Sequence, residues 1–164
     1  MGFREALELY TASRAAVLRQ AEHLAELQDT IENMRAETNR IAKAKSGNRS
    51  LDELSNLDVE FHRIIFKAAG NQFVSDRFER ANILKRMMTL TFSQGSIPKD
   101  LITKENTMLV FEEHLAIYEA IRRQDGDEAR NAMARHIENL SAKYMRWMRA
   151  KPIVKSETFQ VAFL

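Results

Sequence analysis

Glycine and proline, the residues that most often interrupt helices, are missing from a long stretch at the start of this chain. Neither occurs between Phe3 and Ser46, and all 164 residues include only five glycines and two prolines. Good helix formers dominate the stretch. One apolar stripe within it has helical spacing and comprises Leu24, Leu27, Ile31 and Met34. No strand pair is recognisable, so the sequence predicts an all-α fold, an antiparallel bundle with short loops.

A few turn signals divide the rest of the chain into further helices. The segments KSGNRS, SQGSIPKD and QDGD are predicted to be loops or turns, and Gly70 is expected to end a helix. Pro152 ends the last one, and the tail to Leu164 has no clear pattern. The helices expected beyond the first stretch cover about residues 51–69, 71–93, 105–123 and 127–150.

Composition excludes several classes of protein. Hydrophobic residues make up 45% and charged residues 29%, which is typical of a globular domain. The net charge of +2 does not indicate the strongly basic surface expected for binding nucleic acid or an anionic membrane. The absence of cysteine excludes disulfides and thiolate metal sites. No apolar run approaches the roughly 18 to 20 residues of a membrane span, and no signal peptide is recognisable. We therefore expect a cytoplasmic protein with no membrane partner.

Four polar residues interrupt the apolar faces of three expected helices. Asp58 and His62 are four residues apart, so their side chains stack one turn above the other within the stripe of the third helix. His114 and His136 each stand between apolar residues of the last two helices. The remaining histidine, His23, lies among polar residues and is expected at the surface.

Two interpretations of these four residues remain open from spacing alone. Each histidine could simply pack against a carbonyl or hydroxyl group, and Asp58 and His62 could form a local ion pair. A divalent cation explains the four together, because an unpaired buried carboxylate costs several kcal/mol and a cation prefers neutral imidazoles with an anionic carboxylate. Three histidines and one aspartate suit zinc best, and nickel or manganese accept the same donors.

Three segments resemble one known family. NLDVEFHRIIFKAAGN (residues 56–71) resembles the D-x-x-x-F-H…A-G-N segment of the FCD domain, the C-terminal effector-binding domain of FadR-type regulators in the GntR superfamily of bacterial transcription factors. FREALELYTASRAA (residues 3–16) is similar to the first helix of that domain, and HLAIYEAIRRQDGDEARNAMARH (residues 114–136) is similar to its last two helices. The resemblance extends over about residues 4–147.

The resemblance implies both a fold and a site. It implies six or seven helices around a cavity over residues 4–150, with residues 151–164 as a tail. It implies a small carboxylate effector, often bound at the metal, to which the first-helix arginine, here Arg4, adds a contact. A homodimer is implied too, in agreement with the mixed exposed residues of the first helix. The implied metal ligands are Asp58, His62, His114 and His136.

The chain departs from the family in three places. Arg14 replaces the usual leucine before Ala-Ala, and Gln20 replaces the threonine that caps the second helix. The first two helices are therefore either separate or one long helix to about Ala44. The family's N-terminal winged helix-turn-helix is also absent. We expect a piece of a longer regulator, which would contact DNA only through that missing domain, rather than a free-standing sensor.

Function has three candidates at this point. The first is the effector-sensing, dimerising domain of a transcription regulator. The second is a mononuclear metal-dependent enzyme acting on a small carboxylate, for which Glu60 and Glu113 are poor general bases because their positions point off the stripe. A di-metal enzyme is excluded, since the Glu-x-x-His pairs it needs are missing. The third is a structural helical module without metal.

Overall fold

The described part of the chain is entirely helical. The computed structural model describes residues 3–44, 51–71 and 103–150, with the side chains of residues 5–44, 51–71 and 103–142. Within these ranges no strand occurs, and none of the helices is long and apolar enough to cross a membrane. The all-α prediction is confirmed. The helices are α1 (Phe3–Leu18), α2 (Ala21–Lys43), α3 (Asp52–Ala68), α4 (Lys104–Arg122) and α5 (Gly126–Ala150).

The predicted boundaries of the last three of these helices agree with the structure to within one residue at each end. The predicted helix over 71–93, the connection SQGSIPKD and the tail after residue 150 lie outside the described residues. The expected count of six or seven helices and the enclosed cavity therefore stay predictions.

α1 and α2 are separate helices, so the alternative of one long helix is wrong. Gln20 has an extended backbone, with a ψ of 170°. Its backbone N–H donates to Nδ1 of His23 at 3.2 Å, and Arg19 donates from Nη2 to the carbonyl of Arg122 at 2.8 Å. These two contacts stabilise the break without a threonine cap. They also show that His23, predicted as a plain surface residue, is half-buried and helps to begin α2.

The tight turn between α4 and α5 directs α5 back along α1. Gln124 has a φ of +61°, and the backbone N–H of Glu128 donates to the Asp125 carboxylate at 2.9 Å, which caps α5. A Cβ atom at Gly126 would lie 3.1 Å from Oγ of Ser13. Glycine therefore lets the start of α5 approach α1 closely, and this approach sets the register of the next turns of α5.

All five helices contribute to one hydrophobic core. α1 packs against α3, α4 and α5, and α2 packs against α3 and α4. Small residues let α1 approach its neighbours, since Ala12, Ala15 and Ala16 are fully buried. Large side chains fill the centre, and Phe61 and Met133 are 0% exposed. This arrangement brings the inner faces of α3, α4 and α5 together at one level of the bundle.

Candidate metal centre

The four predicted ligands lie together in the core. Asp58 and His62 project from α3, His114 from α4 and His136 from α5, and one potential ligand atom from each lies within 4.8 Å of the others. The three histidine side chains are 1% to 3% exposed, and that of Asp58 is 14% exposed. Phe61 packs edge-on against His114, with ring centroids 5.0 Å apart. The four side chains are therefore almost fully buried within the described part of the chain, and that of Asp58 is the most exposed of them.

The spacing of these groups is close to that of a coordination sphere. The ring centroid of His114 lies 4.5 Å from that of His136 and 5.7 Å from that of His62. Two donor atoms bound to one ion at about 2.1 Å are at most about 4.2 Å apart. The four donor atoms lie within 4.8 Å of one another, so the side chains would have to move inward for all four to bind one ion.

Each of the three histidines contacts an acceptor through Nδ1, on the side away from the centre. His62 Nδ1 lies 2.9 Å from Oε2 of Glu8, and His136 Nδ1 lies 3.0 Å from Oε2 of Glu113. His114 Nδ1 lies 2.7 Å from the carbonyl oxygen of Val110. Carboxylate and carbonyl oxygens only accept, so Nδ1 of His114 and of His136 donates its proton. Nδ1 of His62 and Oε2 of Glu8 are at ion-pair distance without the alignment of a hydrogen bond, and a proton on this Nδ1 is the form that the nearby carboxylate favours. In the neutral ring, Nε2 then carries the lone pair that a metal needs.

The contact between His114 and Asp58 tests whether a cation fits here. Nε2 of His114 lies 3.0 Å from Oδ1 of Asp58. With the proton of His114 on Nδ1, both of these atoms carry lone pairs, and they attract each other only if a second proton or a cation is shared between them. Two ligands of one ion, bound at about 2.1 Å, lie about 3.0 to 3.4 Å apart. The observed distance and donor types fit a shared divalent ion.

The surroundings favour the protonation states that metal ligands need. In the metal-free centre, burial by itself raises the pKa of Asp58, but a hydrogen bond from His114 and the positive charges of the histidines in their protonated forms outweigh it and hold the pKa well below its usual range. Burial and the neighbouring His114 lower the pKa of His136, against the opposing hydrogen bond with Glu113. A divalent ion would supply beside Asp58 the positive charge that only protonated histidines supply without it, while the lowered pKa of His136 favours its neutral ring.

Two residues of the centre were missed or misjudged from the sequence. Glu113 was expected to point away, yet it reaches from α4 to His136 of α5, and its other oxygen accepts from Nδ2 of Asn139 at 2.8 Å. Glu8 was not considered as a site residue at all. A signal existed, because Glu8 lies four and seven residues before the buried Ala12 and Ala15, so it belongs to the inner face of α1.

Two further residues considered in the sequence analysis, Glu60 and Arg4, lie outside the four-residue centre or outside the described side chains. Glu60 pairs with Arg63 at 2.5 Å on the surface, and its side chain is 43% exposed, as expected for an off-stripe position. The side chain of Arg4 lies outside the described residues, so its place as an effector ligand stays a prediction.

The bundle directs three histidines and one aspartate, a donor set that could hold a metal ion, to a common point. Residues 1–139 of the chain match the model of the FCD domain, and the chain therefore belongs to the FCD-domain family. This confirms the resemblance drawn from the three sequence segments.

Named relatives of the chain are transcription regulators. It is 26% identical over 139 residues to the HTH-type transcriptional repressor RspR of Escherichia coli strain K12, covering 84% of this chain and 54% of that protein. It is 28% identical over 110 residues to the HTH-type transcriptional repressor NanR of Klebsiella aerogenes, covering 65% of this chain and 40% of that protein. The chain thus spans about half the length, or less, of these relatives. The family and the relatives indicate a regulator's effector-binding domain rather than an enzyme.

Proposed function

We propose that this chain is the effector-sensing and dimerising domain of a bacterial GntR-family transcription regulator, and that it binds one divalent ion through Asp58, His62, His114 and His136. The main support for the metal site is that these four side chains come from three helices and that one potential ligand atom of each lies within 4.8 Å of the others. Membership in the FCD-domain family supports the regulatory role. Because the aligned regions cover only 54% and 40% of these relatives, contact with DNA is assigned to a separate domain, the winged helix-turn-helix of the family.

Zinc is the proposed ion, with nickel and manganese as the other ions that accept these donors. Four protein ligands leave further positions on an ion that adopts five or six coordination, and oxygen donors of an effector would occupy them. Elemental analysis of the purified protein tests this directly. About one divalent ion per chain is expected before treatment with a chelator and none after it.

The proposed effector is a small carboxylate, especially one with an α-hydroxyl or a second acid group that chelates. Counting only the ligands, a divalent ion and Asp58 leave the centre at about +1, which would attract an anion. Glu8 and Glu113 change this count, because two more carboxylates bring the formal total to about −1. Net charge therefore does not carry the proposal. Its support is the coordination that an ion with five or six positions would keep vacant beside the four protein ligands, together with the family's arginine, Arg4.

The alternative of a mononuclear metalloenzyme is less well supported. Such an enzyme needs a carboxylate placed to activate water. The two carboxylates in contact with the ligand histidines, Glu8 and Glu113, are each engaged at a histidine Nδ1, on the side away from the centre. Within the described residues this arrangement serves ligand orientation better than proton transfer.

Acid is expected to release the metal. Metal ligation needs neutral imidazoles, so affinity should fall as the pH drops below roughly 6. In the metal-free protein the pKa of His136 is lowered, so as the pH falls His136 is protonated in the unfolded chain before it is protonated in the folded protein. The stability from keeping His136 neutral is present above about pH 6.5 and is lost as the pH falls below it. The lowered pKa of Asp58 acts in the same direction below about pH 4.

Metal retention after dialysis between about pH 4 and 8, with parallel melting curves, measures this effect. Retention that stays flat down to about pH 4 would contradict ligation by imidazole.

The proposed homodimer has a candidate surface on α1. Tyr10 and Val17 are 47% and 58% exposed and lie seven residues apart, which places them on one face of the helix. Sedimentation at tens of micromolar protein is expected to show a dimer, and Val17→Glu should shift it toward monomer because a charge would be buried. Leu109→Glu, at a 40% exposed position of α4, is the matched control. A parent protein that is only monomeric would contradict this.

A further inference from the structure

Glu8 is a buried acidic side chain that the four proposed ligands do not explain. It is 0% exposed, and its Oε2 lies 2.9 Å from Nδ1 of His62, whose side chain is 1% exposed. The two residues belong to different helices, α1 and α3. Burying a carboxylate is costly unless a hydrogen-bond donor meets it, so a contact of this kind in the core calls for a reason beyond packing.

We propose that Glu8 is a positioning residue, which holds the ring of His62 so that Nε2 is presented to the metal. This inference rests on the proposed metal centre and deepens it. The Glu8 carboxylate has only acceptor oxygens, and at 2.9 Å its negative charge favours the form of His62 that carries a proton on Nδ1, although the two groups are not aligned as a hydrogen bond. Without that acceptor the neutral ring can carry its proton on Nε2, and this form cannot bind a metal. A carboxylate partner also makes the imidazole a more basic ligand.

Two of the three histidines contact a carboxylate and the third contacts a backbone carbonyl. Of the two carboxylates, that of Glu8 is the more deeply buried. The side chain of Glu113, which holds His136, is 10% exposed and is shared with Asn139. His114 is held by the backbone carbonyl of Val110, which no substitution removes. Glu8 also comes from α1, a helix that supplies none of the four ligands. The metal centre therefore includes α1 through Glu8 alone among the contacts described.

Zinc affinity of two variants tests the inference. Glu8→Ala removes the acceptor, and Glu8→Gln keeps an acceptor oxygen but removes the charge. Competition with a chromogenic chelator should show affinity about 10- to 100-fold weaker for Glu8→Ala, with Glu8→Gln between it and the parent. Glu37→Gln is the matched control, because Glu37 is a nearly buried glutamate, 8% exposed, that pairs with Arg40 on α2. Its zinc affinity should equal that of the parent.

A second readout distinguishes positioning from mere structural support. Nitrogen NMR of the imidazole rings at about pH 8 reports which ring nitrogen carries a proton. In the parent, metal-free and zinc-loaded, His62 should carry it on Nδ1. In metal-free Glu8→Ala the Nε2–H form should appear, while His114 keeps its Nδ1–H form because Val110 still accepts.

The outcomes separate this inference from the proposed function. Zinc affinity of Glu8→Ala within twofold of the parent, with His62 unchanged in the NMR spectrum, would overturn it. If Glu8→Ala does not fold, Glu8→Gln decides, and parent-like affinity and spectrum there would overturn it equally. A parent protein that binds no zinc or other divalent ion would instead refute the metal centre, and the proton position of His62 in the metal-free protein would still test the role of Glu8.

Discussion

Replacing His114 with alanine is expected to abolish most metal binding and with it the metal-dependent part of the stability. An ion bound only by the folded state, at a concentration 1,000-fold above its Kd, stabilises that state by about 4 kcal/mol. For a domain of this size the corresponding change in Tm is about 8 to 16 °C. The parent should therefore melt that much lower after a chelator is added, whereas the Tm of His114→Ala should change little.

The change in Tm on adding a chelator separates the loss of metal binding from the loss of packing that the substitution also causes. His114 is 1% exposed and packs on Phe61, so its removal also costs some stability without metal. His23→Ala is the matched control, because His23 is the histidine outside the centre, and its variant should keep both metal and chelator response. Calorimetry and elemental analysis of the three proteins measure the effect. A parent Tm unaffected by chelator, with no ion found, would refute the metal centre.

A di- or hydroxycarboxylate is expected to raise the Tm of the metal-loaded domain. At 100-fold above its Kd, an effector stabilises the folded state by about 2.7 kcal/mol, or about 5 to 11 °C. His136→Ala should lose most of this shift, because the acid is proposed to bind through the metal. Arg4→Ala should reduce it, since a guanidinium can bind a carboxylate through two hydrogen bonds. A thermal-shift screen of small acids provides the measurement.

Arg14→Ala is the control for Arg4, because Arg14 is an exposed arginine on the same helix and should leave the shift unchanged. A shift as large in His136→Ala as in the parent would show that the acid does not bind at the metal. No shift with any acid would leave the regulatory role resting on the FCD-domain family alone.

Much of the local structure was predictable because it depends on nearby residues. The scarcity of glycine and proline and the apolar stripes predicted α3, α4 and α5 to within one residue. The break after α1 was less certain, because it depends on His23 and on Arg19 reaching the distant carbonyl of Arg122. A tertiary contact of this kind leaves no mark in local periodicity.

The sequence by itself determined which side chains the candidate centre has. Asp58, His62, His114 and His136 stand on apolar stripes, and the periodicity of a helix directs such positions inward. Only the tertiary structure decided how these side chains meet and what surrounds them. The packing of α1 brings Glu8 to His62, and the tight turn at Gly126 sets α5 so that His136 meets Glu113. Helical periodicity specifies the face of one helix, whereas these contacts depend on the distance and register between two helices, which the packing of the whole core determines.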